Sequence, residues 1–528
     1  MSSLSLVCIL TAGRGIRMGA KHSNINKALL PLGGKAAISH IIDAFPLQTT
    51  FVIALGHLGE QVRQYLEMAH PDHSFIFVNV DRYDGPGSGP GYSLWCCREF
   101  LNQPFYFVAS DTIFKADYSL APQGKNWAGV AKVAEEETPN YCTFKIENNL
   151  VTEIVDKELC DDSYRAFTGF LYVYDYKTYW EGMASEKIVA GERQISNGLR
   201  SLLDGPGIAV IEGEWTDVGS EERYQAAADE YHDFDFGKTD EYLYFVGDHV
   251  IKFFADASIV RNRVAKALLN TDVFPHIERS DGQFYSYRLI DGETLYAYNN
   301  PLLFKQFLTW LDAEVWKPAK IESKEIKKLC QSFYFDKTMA RLDTFNKKYP
   351  GYQAPTSVNG EPVVNMATLL ERLDWDDLTQ GVAVFMHGDL QFDNVLYDKK
   401  KDHFFLLDWR QDFADEIAYG DLYYDLAKML GGLLLNYDYI KSNLFFVEQI
   451  GDDIVIDFAR RYNCSTYETL LEEFVVEKGL DFSKVRLLMA IIYLNMAPLH
   501  HPPFDKALYS LANLYLSRIF SSVHKGFS

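Results

Sequence analysis

Two segments of the 528-residue chain gather side chains able to do chemistry. The first, Leu10-Thr-Ala-Gly13-Arg14-Gly15-Ile-Arg17-Met18, follows an apolar run, and Lys27 stands shortly after it in Lys27-Ala-Leu-Leu-Pro31-Leu. Gly13 and Gly15 let backbone N–H groups come close to an anion, and Arg17 and Lys27 can neutralise a triphosphate. The pattern suits nucleoside triphosphate binding. The second segment, Met386-His387-Gly388-Asp389-Leu-Gln-Phe-Asp393-Asn394, precedes an apolar run that ends in Leu406-Leu407-Asp408-Trp409.

The first segment resembles the nucleotidyltransferases of the sugar-1-phosphate and CTP:phosphocholine type, whose signature G-x-G-x-R-M…K-x-L-x-P-L it matches nearly residue for residue. Gly56-His-Leu-Gly-Glu60 is similar to that family's G-Y-x-x-E. The resemblance implies that Asp111, in Ser110-Asp111, and Asp217, in Trp215-Thr216-Asp217-Val218-Gly219-Ser220-Glu221, bind Mg²⁺, although the second run lacks the family's proline. Two carboxylates converging on one Mg²⁺ would hold it against the α-phosphate while a substrate phosphate attacks in line and pyrophosphate departs. Gly87 and Gly89, in the loop Gly85–Gly91, stand where the family recognises the base. Their lack of a side chain permits close backbone approach, with a flexible linker as the alternative. The resemblance extends to Gly169-Phe170 as a substrate wall and to Lys157 for the substrate phosphate, with Glu158 in place of the usual proline.

The second segment resembles the aminoglycoside phosphotransferase and choline kinase superfamily, with its H-G-D-x-x-x-x-N and [IL]-D-[WF] motifs. That resemblance implies that Asp389 accepts the proton of a substrate hydroxyl, and that Asn394 and Asp408 bind the Mg²⁺ that bridges ATP phosphates. It also implies that Lys252 lies on the ATP phosphates, that Leu289–Glu293 forms the adenine hinge, and that Asp421 and Asp425 support the catalytic loop. The helix after Lys252, from Ile259, offers no glutamate to pair with it.

The elements that must position these residues follow from periodicity. Apolar runs at Leu6–Leu10, Thr50–Leu55, Phe75–Val80 and Phe105–Ala109 alternate with amphipathic stretches near residues 37–44, 58–68 and 92–101, the rhythm of a doubly wound α/β sheet. Trp127–Val133, Tyr141–Glu147 and Ala166–Tyr174 add strands, and a helix is expected around Glu221–Tyr231. The polar stretch His232–Thr239 marks a boundary between domains 1–235 and 240–528. Beyond it, strands at Tyr242–Val246 and His249–Phe254, a helix near Ile259–Leu269 and a hairpin at Asp281-Gly282 precede a mainly helical remainder. The expected architecture is a Rossmann-like nucleotidyltransferase domain followed by a bilobal, protein-kinase-like α+β domain.

A net charge of −22 argues against a nucleic-acid partner, since tracking phosphate backbones needs a basic face. Seven scattered cysteines without a CxxC pair fit a reducing cytoplasm. Leu4–Leu10 reads as a first strand rather than a signal peptide, and Leu487–Leu494 is too short to span a bilayer, so no membrane insertion is expected. The joined resemblances imply a bifunctional enzyme. One half phosphorylates an amino alcohol, polyol or sugar with ATP, and the other activates the phosphate ester with CTP or another NTP, feeding surface glycans such as capsule polysaccharide. Trp409, Phe413, Tyr419, Tyr423 and Tyr424 would either cage a choline-like cation or form core, and the Trp-x-Asp-x-Gly run leans toward sugar or polyol phosphates. A regulatory role for one half is the alternative.

Overall fold

Continuous apolar runs become strands covered on both faces, which is what a parallel sheet requires. In the computed structural model, which describes residues 5–116, 121–122, 124–185, 187–189, 191–231 and 240–525, the order opens as expected. It begins with β1 (Leu6–Leu10), α1 (Ala37–Asp43), β2 (Thr50–Leu55), α2 (Gly59–Ala69), β3 (Ser74–Asn79), α3 (Pro90–Cys96) and β4 (Phe105–Ala109). Then come β5 (Thr112–Lys115), β6 (Trp127–Ala131), β7 (Cys142–Glu147), β8 (Leu150–Asp156), β9 (Tyr164–Val173), β10 (Ala209–Glu212), β11 (Glu214–Asp217) and α4 (Glu221–Glu230). The expected linker, His232–Thr239, lies outside the described residues.

Nine of these strands form one sheet in the order β3-β2-β1-β4-β9-β6-β10-β8-β7. Strand β1 pairs in parallel with β2 on one side (Leu6↔Thr50) and with β4 on the other (Val7↔Tyr106). Winding therefore reverses at β1, and the loops after β1 and β4 open the crevice where α/β sheets take ligands. Strand β11 stands outside that sheet and pairs with β5, setting Asp217 opposite Thr112. Strands β8 and β10 are absent from the sequence reading: β10 is only four residues long, and in β8 a register shift between Val151 and Glu153 interrupts any alternation of buried and exposed positions.

The chain divides into two compact units. The first holds Met1–Asp233 together with Lys238–Ala257 and Arg279–Ser286, and the second holds Ser258–Glu278 and Tyr287–Ser528. Strands β12 (Glu241–Val246) and β13 (His249–Phe254), expected to open the domain at residue 240, thus lie in the first unit. Packing supplies the reason. Tyr244 is fully buried, its hydroxyl donates to the Leu29 carbonyl at 2.7 Å, and its ring centroid lies 4.9 Å from that of Tyr65. Ile251, Phe253 and Phe284 join the same apolar cluster as Val7, Leu29 and Phe51.

In the second unit, α5 (Ala257–Leu269), α6 (Ser323–Cys330) and α7 (Lys337–Lys348) are followed by a hairpin of β14 (Val395–Asp398) and β15 (His403–Leu406). Between α6 and α7 the helix widens into a π turn at Gln331–Asp336. Then α8 (Leu422–Leu434), α9 (Phe482–Met496) and α10 (Phe504–Lys525) build the helical core, with α9 packed on both others. Among the described residues, Phe482–Leu499 is the helical stretch long and apolar enough to cross a bilayer, and 61% of it is buried in the protein. A largely apolar helix that is mostly buried in the protein is what a core position gives.

Candidate active sites

The first site lies at the reversal in the sheet. Gly15 takes a left-handed backbone (φ 62°) and its carbonyl accepts from Met18 N at 2.8 Å, closing the turn after β1. The loop is tied down from behind: Asn26 Nδ2 donates to the Thr11 carbonyl at 2.9 Å and the His57 carbonyl at 2.8 Å. A Cβ placed on Gly13 would meet nothing within 4 Å, so its backbone is open to approach.

Lys27 and Asp111, 84 residues apart, form an ion pair of 2.6 Å. Asp217 reaches the same place because β11 pairs with β5, and Val218 N donates to the Asp111 carbonyl at 3.0 Å. A Cβ on Gly219 would lie 2.9 Å from Asp217 Oδ1, 3.0 Å from Asp111 Oδ2 and 3.3 Å from Arg17 Nη2. Two carboxylates and a guanidinium thus converge on one point that only glycine leaves free. Burial alone would raise the Asp111 carboxyl, but the Lys27 ammonium and the Arg17 guanidinium outweigh it and hold the group below its ordinary value. It stays ionised. Oxygen ligands of this charge and spacing fit a hard divalent cation such as Mg²⁺.

Two residues missed from sequence complete this arrangement. Arg223 Nη1 meets Asp217 Oδ2 at 2.5 Å, and the Tyr141 hydroxyl donates to the same oxygen at 3.1 Å. Burial and the Asp217 carboxylate push the Tyr141 phenol up, which keeps it a donor. Arg223 lies in the first turn of α4, whose N-cap Ser220 accepts from Arg223 N, so its proximity to Asp217 was available from that short spacing. An open cavity of about 870 Å³ adjoins Asp217 and is lined by Lys132, Glu137, Tyr141, Trp215 and Arg223 among others.

Other expected residues have local duties. Gly87 N donates to the Gly191 carbonyl at 2.9 Å, and a Cβ on Gly89 would stand 2.7 Å from Glu192 Cβ, so the structure gives both glycines a packing role against the segment 191–193. Lys157 pairs with Glu192 at 3.2 Å on the surface. Gly169 (φ 84°) presses on Ala109 and Thr112, which flank the Asp111 turn.

The second site is built around the loop His387–Asn394. Asp425, buried in the first turn of α8, accepts from His387 N at 2.8 Å, Gly388 N at 2.7 Å and the Trp316 indole at 3.1 Å, which makes it a structural anchor. His387 is buried, which lowers its pKa. Its Nε2–H donates to the Leu407 carbonyl at 2.7 Å while Nδ1 accepts from Asp389 N at 3.1 Å. Asn394 Nδ2 donates to the Asp389 carbonyl at 2.9 Å, and Leu407 N donates to the Asn394 carbonyl at 2.7 Å. Asp389, Asn394 and Asp408 are thereby brought together. Asp408 has a left-handed backbone (φ 52°), and its Oδ1 meets Arg263 Nη1 at 3.1 Å. Its carboxylate and the Asn394 amide oxygen are again hard donors suited to Mg²⁺. Among the described residues no group of three or more His, Cys, Asp or Glu side chains gathers, so each candidate metal site has at most two carboxylates.

Lys428, one turn beyond Asp425 on α8, meets Asp389 Oδ1 at 2.7 Å and was not singled out in the sequence. Lys252 is buried on β13 in the first unit. The suspected aromatic cage is occupied by packing. Trp409 is 1% exposed and its ring lies 4.5 Å from Phe274, Phe413 is 4.2 Å from Phe333, Tyr423 and Tyr424 are buried, and the Tyr419 hydroxyl donates to Glu325.

Against known families, residues 7–136 match the MobA-like NTP transferase domain and residues 324–472 match the phosphotransferase enzyme family. The chain joins a nucleotidyltransferase domain to a phosphotransferase domain. The nucleotidyltransferase loop Gly13–Met18, Lys27 and Asp111 lie within the first match, and Asp389, Asn394 and Asp408 within the second. The Bifunctional protein GlmU of Methanocaldococcus jannaschii is 26% identical over 215 residues, covering 40% of this chain and 50% of that protein. The Bifunctional protein GlmU of Herminiimonas arsenicoxydans is 28% identical over 239 residues, covering 42% and 50%. The chain spans about half the length of the curated relatives it matches. Among solved structures, a UDP-glucose pyrophosphorylase complexed with UDP-glucose is 19% identical, covering 44% of this chain and 99% of its own, at a TM-score of 0.38.

Proposed function

We propose that the phosphotransferase domain phosphorylates a hydroxyl of a small metabolite with ATP, and that the nucleotidyltransferase domain couples the phosphate ester to a nucleotide from CTP or another NTP. Pyrophosphate is released and an activated precursor for surface glycans is formed in the cytoplasm, where nucleoside triphosphates are abundant. The observation that carries this reading is the convergence of Asp111, Asp217 and Arg17 on one point above Gly219, beside the loop of Gly13 and Gly15. Mg²⁺, held by Asp111 and Asp217 in one domain and by Asn394 and Asp408 in the other, would supply the charge that polarises the attacked phosphorus.

The chain's own groups do the remaining work. Arg17 and Lys27 offset the triphosphate charge, Arg223 and Tyr141 hold Asp217 in place, and the adjoining cavity admits the phosphate ester. In the other domain Asp389 accepts the proton of the hydroxyl, oriented by Lys428 and by the Asp425-anchored loop.

The test is a two-step screen. Amino alcohols, alditols and sugars are each incubated with the full chain, ATP and Mg²⁺, and the phosphate ester is identified by mass. CTP, UTP, GTP and dTTP are then added in turn and pyrophosphate is measured. One acceptor should pass both steps, with CTP preferred. A kinase product rejected with every NTP, while the nucleotidyltransferase domain activates an unrelated phosphate, refutes the shared pathway.

A further inference from the structure

Arg410 follows Trp409 directly, and its N–H donates to the His387 carbonyl at 2.9 Å. A Cβ on Gly388 would lie 2.6 Å from Arg410 Cβ and 3.3 Å from its Cδ, so the arginine stem runs over the residue that precedes Asp389. Its guanidinium lies 4.8 Å from the centre of the Phe333 ring in the π turn, and Lys337 Nζ lies 3.9 Å from the same centre. Arg341 stands one turn along α7 from Lys337. Lys428, on Asp389, belongs to the same neighbourhood.

Cations this close normally have carboxylate partners. The side chains of Lys337, Arg341 and Arg410 form no ion pair or hydrogen bond among the described residues, and Arg410 Nε is buried without an acceptor. Burial and then Arg410, Lys428 and Arg341 push the Lys337 ammonium down to about 6, with Asp412 opposing weakly. Arg341 is lowered too, by burial and by Arg410. Partly desolvated like charges gathered on one ring are costly unless an anion relieves them. A quaternary ammonium would meet repulsion there.

We propose that the hydroxyl acceptor of the phosphotransferase domain carries an anionic group, a carboxylate or a phosphate, which Lys337, Arg341 and Arg410 clamp beside Asp389. This rests on the reading of Asp389 as the base. The acceptor O–H gives its proton to the Asp389 carboxylate, its oxygen bonds to the γ-phosphorus of ATP, and the bond from that phosphorus to the β,γ-bridging oxygen breaks to leave ADP.

The full chain is given Mg²⁺ and ATP with glycerate, glycerol phosphate, ribitol or choline, and ADP is measured. The carboxylate or the phosphate member should exceed the neutral and cationic ones by about tenfold or more in kcat/KM, the scale of a charge-assisted hydrogen bond, and the better of the two identifies the anion. Arg410→Gln should raise the KM for that acceptor about tenfold or more, with Arg410→Lys retaining most of the affinity. Inorganic phosphate, titrated calorimetrically in an Arg17→Gln background to silence the other domain, gives a second readout. Its binding should weaken on adding Arg410→Gln and persist with saturating ATP analogue. Preference for ribitol or choline with Arg410→Gln unaffected leaves the kinase standing and overturns the clamp. Phosphate binding that ignores Arg410, or that the ATP analogue abolishes, also overturns it. Phosphate binding that depends on Arg410 without ADP formation from any acceptor keeps the anion site and refutes the kinase reading.

Discussion

Replacing Asp217 by asparagine isolates the charge at the point above Gly219. The Asp217 side chain is 13% exposed, so water screens it weakly. Unit charges about 3 Å apart at an effective dielectric of about 20 interact by roughly 5 kcal/mol. The amide keeps the shape and a partially negative oxygen, and Arg223 retains Glu137 at 3.1 Å, which lessens the cost of losing its other carboxylate. A net loss of about 3 kcal/mol at the transition state remains, roughly a hundredfold in nucleotidyl transfer. The assay follows pyrophosphate from the nucleotide and phosphate ester identified by the two-step screen, with ADP formation in the same preparation as the control for folding. Transfer within threefold of the parent rate, in a variant whose kinase activity is intact, would refute Asp217 as a metal ligand and move the site elsewhere.

Asp389→Ala should abolish ADP formation while pyrophosphate release from a supplied phosphate ester persists; loss of both in a folded protein contradicts two separate sites. Tyr244→Ala should destabilise the first unit by about 3–5 kcal/mol through loss of a buried ring, and Tyr244→Phe by about 1 kcal/mol through the Leu29 hydrogen bond. Denaturant midpoints that do not move would show that β12 contributes nothing to the nucleotidyltransferase core. Lys27→Met removes the cation that helps keep the Asp111 carboxyl low, costing about 1 kcal/mol or more. A lowered carboxyl contributes stability above its unfolded value, about 3.9, and loses it as pH falls through the folded value. The gap between parent and variant should therefore be full near pH 7 and close in acid; a gap independent of pH would show that Asp111 does not contribute through its charge.

Local motifs were legible in the sequence because their members share one loop. Gly13, Gly15 and Arg17 turn together after β1, and the segment His387–Asn394 hydrogen-bonds within itself, so type and spacing sufficed. The parallel half of the sheet was equally plain, since strands covered on both faces must be apolar throughout. Other features were invisible for a common reason: a linear pattern carries no record of what lies across a contact. Pairing of β11 with β5 sets Asp217 against Asp111, and Tyr141 meets Asp217 from 76 residues away in the sequence, whereas the neighbourhood of Arg223 and Asp217 follows from local spacing. Whether Trp409 and Phe413 cage a ligand or fill a core depends on neighbours such as Phe274 and Phe333. Strands β12 and β13 read as a new domain's opening hairpin, yet the apolar face with Tyr244 and Phe253 is buried against Leu29 and Tyr65. Periodicity determines that such a face must be buried, and the tertiary structure alone decides which surface buries it.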